Sequence, residues 1–151
     1  MPGRMQIFYN ESGKPLAEAI CGGLSIELGQ LTIREFPDGE YLIQLEEEVR
    51  GNDVFVVVPT NPPGDNIVQA LLLINAIQQA SAERITAVIP YAGYNRQDRK
   101  DKPRVPRSAQ VVFSARAKGI DRSLLLDLHS EPTAGFFGDV VVDHLYVSKI
   151  L

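Results

Sequence analysis

VFVVVPTNPPGDNIVQALLLINAIQQASAERITAVI, residues 54–89, decides the fold. It opens on an unbroken apolar run, Val54 to Val58. A strand buried on both faces looks like this, because neither set of alternating side chains meets water. A breaker cluster follows, Pro59 to Gly64. Asp65 or Asn66 can then cap a helix reaching to about Ala80, with Ile67, Ala70, Leu71, Ile74 and Ile77 on one face. Ile85 to Ile89 is a second strand of the buried type. Strand, helix and strand in this order make the unit from which parallel sheets are built.

Outward from this unit the pattern repeats. Met5 to Tyr9 suits a first strand. Pro15 to Cys21 reads as a helix, with Leu16, Ala19 and Ile20 spaced for a buried face, proline in its first turn and Gly22-Gly23 at its end. Leu31 to Arg34 and Tyr41 to Leu45 alternate like half-buried strands, joined through the turn Phe36-Pro37-Asp38-Gly39. Downstream, Ser108 can cap a helix to about Lys118, ended by Gly119. Leu124 to Leu128 and Val140 to Val142 are further strands. The expected class is α/β, a doubly wound parallel sheet with helices on both faces. In such sheets ligands bind beyond the carboxyl ends of the strands. Three segments lie there: Pro59 to Asp65, Pro90 to Arg107, and Asp127 to Phe137. Tyr146 to Leu151 begins a helical apolar pattern with no cap or glycine after it: either the chain is cut there or it continues in the natural gene.

Composition narrows the function classes. The chain has 151 residues, 44% apolar and 23% charged, with a formal net charge of −4. This suits one globular domain and argues against a nucleic-acid partner or an anionic membrane. No apolar run approaches the roughly 18 residues of a membrane span. Cys21 is the single cysteine, so no disulfide forms within the chain. A soluble, cytoplasmic domain is expected.

The charge is unevenly placed. Residues 96–107 read RQDRKDKPRVPR, six positive side chains against two negative, or +4, which leaves −8 for the rest of the chain. Guanidinium groups pair bidentately with phosphate oxygens, and Pro103 and Pro106 restrict the backbone. From the pattern alone, anion binding and a solvated charged loop stand level. Nucleic-acid binding is a weaker form of the same idea, tested by steeply salt-dependent binding to an oligonucleotide. Asp127-Leu128-His129 closes a buried-type strand and puts Asp127 and His129 on one side. A metal contact through the imidazole is one reading, and a histidine satisfied by backbone hydrogen bonds is the commoner one. Phe36 to Glu40, FPDGE, is explained as a tight turn; a base stacked on Phe36 and bonded by Asp38 and Glu40 stays open.

Taken together, FPDGE (36–40), VRGNDVFVV (49–57), ERITAVIPYAGYNRQDRKDKPRVP (83–106), LDLH (126–129) and GFF followed by VDHL (135–145) resemble the ribose-phosphate pyrophosphokinase family. The resemblance implies a phosphoribosyltransferase-type domain, occurring twice in a full-length subunit, with this chain the N-terminal copy and a second, C-terminal domain missing. It implies diphosphate transfer from ATP to ribose 5-phosphate with Mg2+, in a homo-oligomer, dimer or hexamer. Carried over, Phe36, Asp38 and Glu40 would hold adenine for a neighbouring subunit. Arg96 and Gln97 would contact the nucleotide, with Arg99 and Asp101 close by. His129 would touch the metal. Arg50, Lys102, Arg104 and Asp143 would belong to a regulatory phosphate or ADP site.

No catalytic residue is expected in this half, since the ribose-phosphate loop and the flexible catalytic loop belong to the second domain. Arg107 stands where the family usually has isoleucine, and Glu131 to Ala134 replace a glutamine-rich stretch, which touches regulation and subunit packing. The alternative is a non-catalytic regulatory or binding subunit of a synthetase. Retention of Phe36, Asp38, Glu40, Arg96, Gln97 and His129 weighs against it.

Overall fold

The computed structural model of the chain describes residues 3–90, 104, 119–126 and 140–145. Five strands form a parallel sheet: β1 (Met5–Tyr9), β4 (Asp53–Val57), β5 (Arg84–Ile89), β6 (Arg122–Leu126) and β7 (Val141–Leu145), in the order β1-β4-β5-β6-β7. Two more, β2 (Leu31–Glu35) and β3 (Tyr41–Leu45), pair antiparallel as a separate hairpin. The helices are α1 (Lys14–Leu24) and α2 (Asp65–Gln79). The expected α/β class and parallel sheet are present. The last two strands, expected at 124–128 and 140–142, are described at 122–126 and 141–145, with residues 127 and 128 outside the described residues. The expected helix at 108–118 and the pattern at 146–151 lie outside the described residues.

Alternation along β1 and β4 feeds two separate cores. Phe8, Val54 and Val56 pack with Ala70, Leu73, Ile74 and Ile77 of α2, and with Leu31, Ile43 and Leu45 of the hairpin. Ile7 and Val57 point the other way and meet Ala17 and Cys21 of α1. The two helices therefore cover opposite faces, which is why β4 reads as a continuous apolar run.

Helix α1 departs from its expected face. Ala17 and Cys21 are buried and Ile20 is half-buried, while Leu16 and Ala19 are exposed. Small side chains let α1 lie close to the sheet, and larger ones would hold it off. The helix also runs through Gly22 and Gly23, ending where Ser25 takes a left-handed conformation, φ 56° and ψ 43°, and its N–H bonds back to Cys21 and Gly22. In α2 the N-cap is Gly64 rather than Asp65 or Asn66. Ile67 and Leu71 are only half-buried, and the fully buried stripe is Asn66, Gln69, Ala70, Leu73, Ile74 and Ile77.

Gly29 carries the chain past the edge of β1, from the α1 face to the hairpin. Its N–H donates to the Ile7 carbonyl at 2.9 Å. A Cβ there would stand 2.6 Å from that carbonyl oxygen and 2.8 Å from the Phe8 ring. Only glycine permits this approach.

Candidate functional site

The turn between β2 and β3 is closed by its own backbone. The Phe36 N–H donates to the Glu40 carbonyl at 2.7 Å, and the Gly39 N–H to the Phe36 carbonyl at 2.8 Å. Gly39 has φ 94°, which a residue with a Cβ rarely adopts. The Asp38 carboxylate accepts from the Glu40 N–H at 3.0 Å, an Asx-type bond that holds the turn from within. The Arg34 guanidinium lies 4.9 Å from the Phe36 ring centroid. Phe36 is half-buried, whereas Asp38 and Glu40 are exposed. The three residues expected to hold a base thus share one rigid turn.

That turn stands beside the first turns of α2. A cavity of about 460 Å³ lies between them, lined by Asp38, Gly39, Glu40, Tyr41, Asp65, Val68 and Leu72. The Tyr41 hydroxyl donates to Asp65 Oδ2 across 3.1 Å. Desolvation pushes the Tyr41 phenol above its ordinary range, and the accepting Asp65 carboxylate adds to the shift. The phenol therefore stays a donor at neutral pH.

Behind the cavity, the carboxyl end of the sheet is tied by neutral amides. Asn10, directly after β1, is fully buried. Its Nδ2 donates to the Pro59 and Asn66 carbonyls at 3.1 and 3.0 Å, and its Oδ1 accepts from the Gly13 N–H at 3.0 Å. Asn66 Oδ1 accepts from the Ser12 hydroxyl at 2.6 Å, and Asn66 Nδ2 donates to the Asn61 carbonyl at 2.8 Å. Gln69 Oε1 accepts from the Glu11 N–H at 3.0 Å. Each of these buried amides is hydrogen-bonded, as burial of polar groups requires. Together they fix the loops after β1 and β4, where a parallel sheet presents ligands.

Of the residues expected at a regulatory site, Arg50, Arg104 and Asp143 are among the described residues. Arg50 is exposed in the turn before β4, where its N–H donates to Glu48 Oε1 at 3.0 Å. Asp143 lies on β7 and pairs with Arg122 at 3.5 Å. β4 and β7 are separated by β5 and β6, about 14 Å at the usual strand spacing. Arg104 is exposed, with φ 61°. Arg96, Gln97, Arg99, Asp101, Lys102, Arg107, His129 and Glu131 to Ala134 lie outside the described residues. Among the described residues, no three His, Cys, Asp or Glu side chains gather as a metal site, and no helix is long and apolar enough to cross a membrane.

Sequence reasoning missed Asn10, Ser12, Tyr41, Asn66 and Gln69. One signal was available. Asn66 and Gln69 fall on the same helical stripe as Leu73 and Ile77, directly after a breaker cluster. Polar residues on a core stripe need partners.

Comparison with known proteins agrees with this architecture. Residues 5–117 match the N-terminal domain of ribose phosphate pyrophosphokinase. The chain is 48% identical over 149 residues to a ribose-phosphate pyrophosphokinase of Rhodopirellula baltica, covering 97% of this chain and 47% of that protein. It is 48% identical over 145 residues to the one from Porphyromonas gingivalis, covering 95% and 46%. The crystal structure of phosphoribosylpyrophosphate synthetase from Mycobacterium smegmatis superposes with a TM-score of 0.92 at 34% identity, over 98% of this chain and 50% of that one. The chain spans about half the length of these relatives. On its matched residues and its fold, it belongs to the ribose-phosphate pyrophosphokinase family and corresponds to that family's N-terminal domain.

Proposed function

We propose that this chain is the nucleotide-holding half of a ribose-phosphate diphosphokinase, which moves the diphosphate of ATP onto ribose 5-phosphate to give phosphoribosyl pyrophosphate and AMP. The observation that carries the reading is the closed, outward-facing turn Phe36–Glu40 in a chain that matches the N-terminal halves of named synthetases. Transfer of a diphosphoryl group asks the protein for alignment and charge neutralisation rather than for a covalent intermediate. In this reading Phe36, Asp38 and Glu40 hold the adenine, with the turn offered to a neighbouring subunit of a cytoplasmic homo-oligomer. Arg96, Gln97, Arg99 and Asp101 hold the polyphosphate end. Arg50, Lys102, Arg104 and Asp143 meet a regulatory phosphate or ADP.

Magnesium binds through phosphate oxygens, waters and one or two protein groups. His129 is the residue assigned to it here, and the ion would neutralise the transferred phosphates. The groups that bind ribose 5-phosphate and stabilise the transfer belong to a second domain.

The test has two arms. Mg-ATP is expected to raise the thermal midpoint of the 151-residue chain, as a ligand of the folded state does. AMP production from ATP and ribose 5-phosphate by the chain alone is expected to be nil. Absence of any thermal shift would sink the nucleotide-holding role, and AMP production would sink the division of labour between halves.

A further inference from the structure

The first turns of α2 send three neighbouring side chains to the loops after β1 and β4 and to the hairpin. Asn66 reaches the loops after β1 and β4, through Ser12 and Asn61. Gln69 holds the Glu11 N–H. Asp65 reaches the hairpin, where it accepts from the Tyr41 hydroxyl at 3.1 Å, and Gln69 bonds the same hydroxyl. The first two bonds satisfy buried amides, 5% and 1% exposed, and are needed for folding. The third is different. Asp65 is exposed, and the hairpin is already seated on the core through Leu31, Ile43 and Leu45. A phenylalanine at position 41 would keep the ring and its packing. The hydroxyl adds a fixed point instead.

That fixed point is well placed to act. Tyr41 directly follows Glu40, whose carbonyl closes the turn onto Phe36. The turn is internally rigid, so its position is set by how its strands are held. Besides the hydroxyl's bonds to Asp65 and Gln69, the hairpin is held by apolar contacts of residues 31, 43 and 45 with the core, further along the strands. The bond also spans the cavity that separates turn from helix.

We infer that Tyr41 and Asp65 are positioning residues, which register the turn Phe36–Glu40 against the first turn of α2 and so set nucleotide affinity. The inference deepens the proposed function and rests on it for the identity of the ligand. Neither side chain need touch the nucleotide. Both act through the turn.

The test is a double-mutant cycle in the 151-residue chain: Tyr41→Phe, Asp65→Ala and the two combined. Amide hydrogen exchange reads the turn directly. Exchange at Phe36, Gly39 and Glu40 is expected to rise about three- to tenfold in Tyr41→Phe, the size of one hydrogen bond, with core amides of β4 and α2 unchanged. Mg-ATP affinity, read by calorimetry, is expected to fall by a similar factor. The double variant is expected to be no worse than Tyr41→Phe alone, because loss of the hydroxyl already removes the Asp65 bond. A purely structural role would instead raise exchange in the core as well. Unchanged turn exchange in Tyr41→Phe, or additive losses in the double variant, overturns the inference. If wild-type chain fails to bind Mg-ATP, the proposed function falls, and the exchange data still decide whether the bond registers the turn.

Discussion

The two ends of the five-stranded sheet are closed by different chemistry. At the amino end ion pairs stand beside the buried amide of Gln6, which accepts from Asn52 Nδ2 at 2.9 Å. Arg84 grips Asp53 bidentately, Nε to Oδ1 at 3.0 Å and a terminal nitrogen to Oδ2 at 2.6 Å. Asp121 accepts from the Ile85 N–H at 2.9 Å, and Arg122 pairs with Asp143. At the carboxyl end the buried side chains, among the described residues, are neutral: Asn10, Thr60, Asn66 and Gln69. Asp53, the one buried carboxylate among the described residues, is a strand length away, about 16 Å. The difference has an electrostatic sense. A buried carboxylate near incoming phosphates would repel them through a medium that screens poorly. Amides fasten loops equally well and carry no charge.

Removing an amide is the strongest way to break the contrast. Asn10→Ala removes the buried donor to the Pro59 and Asn66 carbonyls and one of the two acceptors of the Gly13 N–H, which keeps the Asn10 carbonyl at 2.9 Å. A loss of about 3 kcal/mol in urea unfolding is expected, with the loops after β1 and β4 loosened together. A loss below about 1 kcal/mol would mean that water replaces the side chain and that the network is not structural.

Gly13 gives a second, smaller break at the same end. Its φ is an ordinary −86°, so an alanine meets no backbone strain. An added Cβ would instead run into the Val57 carbonyl and stand 3.0 Å from the Pro59 ring. Gly13→Ala is expected to cost about 2 kcal/mol by overpacking. At the amino end, Arg84→Met is expected to lower the urea midpoint less than either change. Arg84 is 45% exposed, so water reaches Asp53 when the guanidinium goes. The gap between wild type and Arg84→Met should narrow at high salt, which screens the pair. A gap indifferent to salt would show that packing of the arginine stem, not its charge, closes this end.

The sheet was readable in the sequence because burial on both faces leaves an uninterrupted mark, as in Val54 to Val58. The hairpin was readable from its alternation. The buried face of α1 was not, because hydrophobicity ranks Leu16 above Ala17 while close approach to the sheet favours the smaller residue. In α2, counting apolar residues overlooked Asn66 and Gln69, whose burial serves the loops rather than the core. FPDGE announced a turn. Its place beside α2 depends on Tyr41 meeting Asp65, residues 24 positions apart, and no local pattern encodes that. The basic segment 96–107, Arg104 apart, and His129 carry much of the expected chemistry and lie outside the described residues.

The faintest expected effect concerns a tie at the carboxyl end that does contain a charge, Tyr41 to Asp65. Tyr41 has its folded-state pKa raised by desolvation and by the accepting Asp65 carboxylate. The sign follows from linkage. Below the ordinary tyrosine value, about 10, the phenol is neutral in both states and the bond contributes its full stability. Above it the unfolded chain releases the proton while the folded chain retains it. The folded state then binds more protons, so stability falls as pH rises. The chain has five tyrosines, so the share of Tyr41 is a difference between wild type and Tyr41→Phe. Unfolding curves from pH 8 upward should show wild type losing its advantage over the variant as pH passes about 10. The loss should be modest, since the pair borders solvent and water softens the repulsion. An advantage that stays constant through this range would mean that the hydroxyl finds water as good a partner as Asp65, and the tie between turn and helix would then have to come from packing alone.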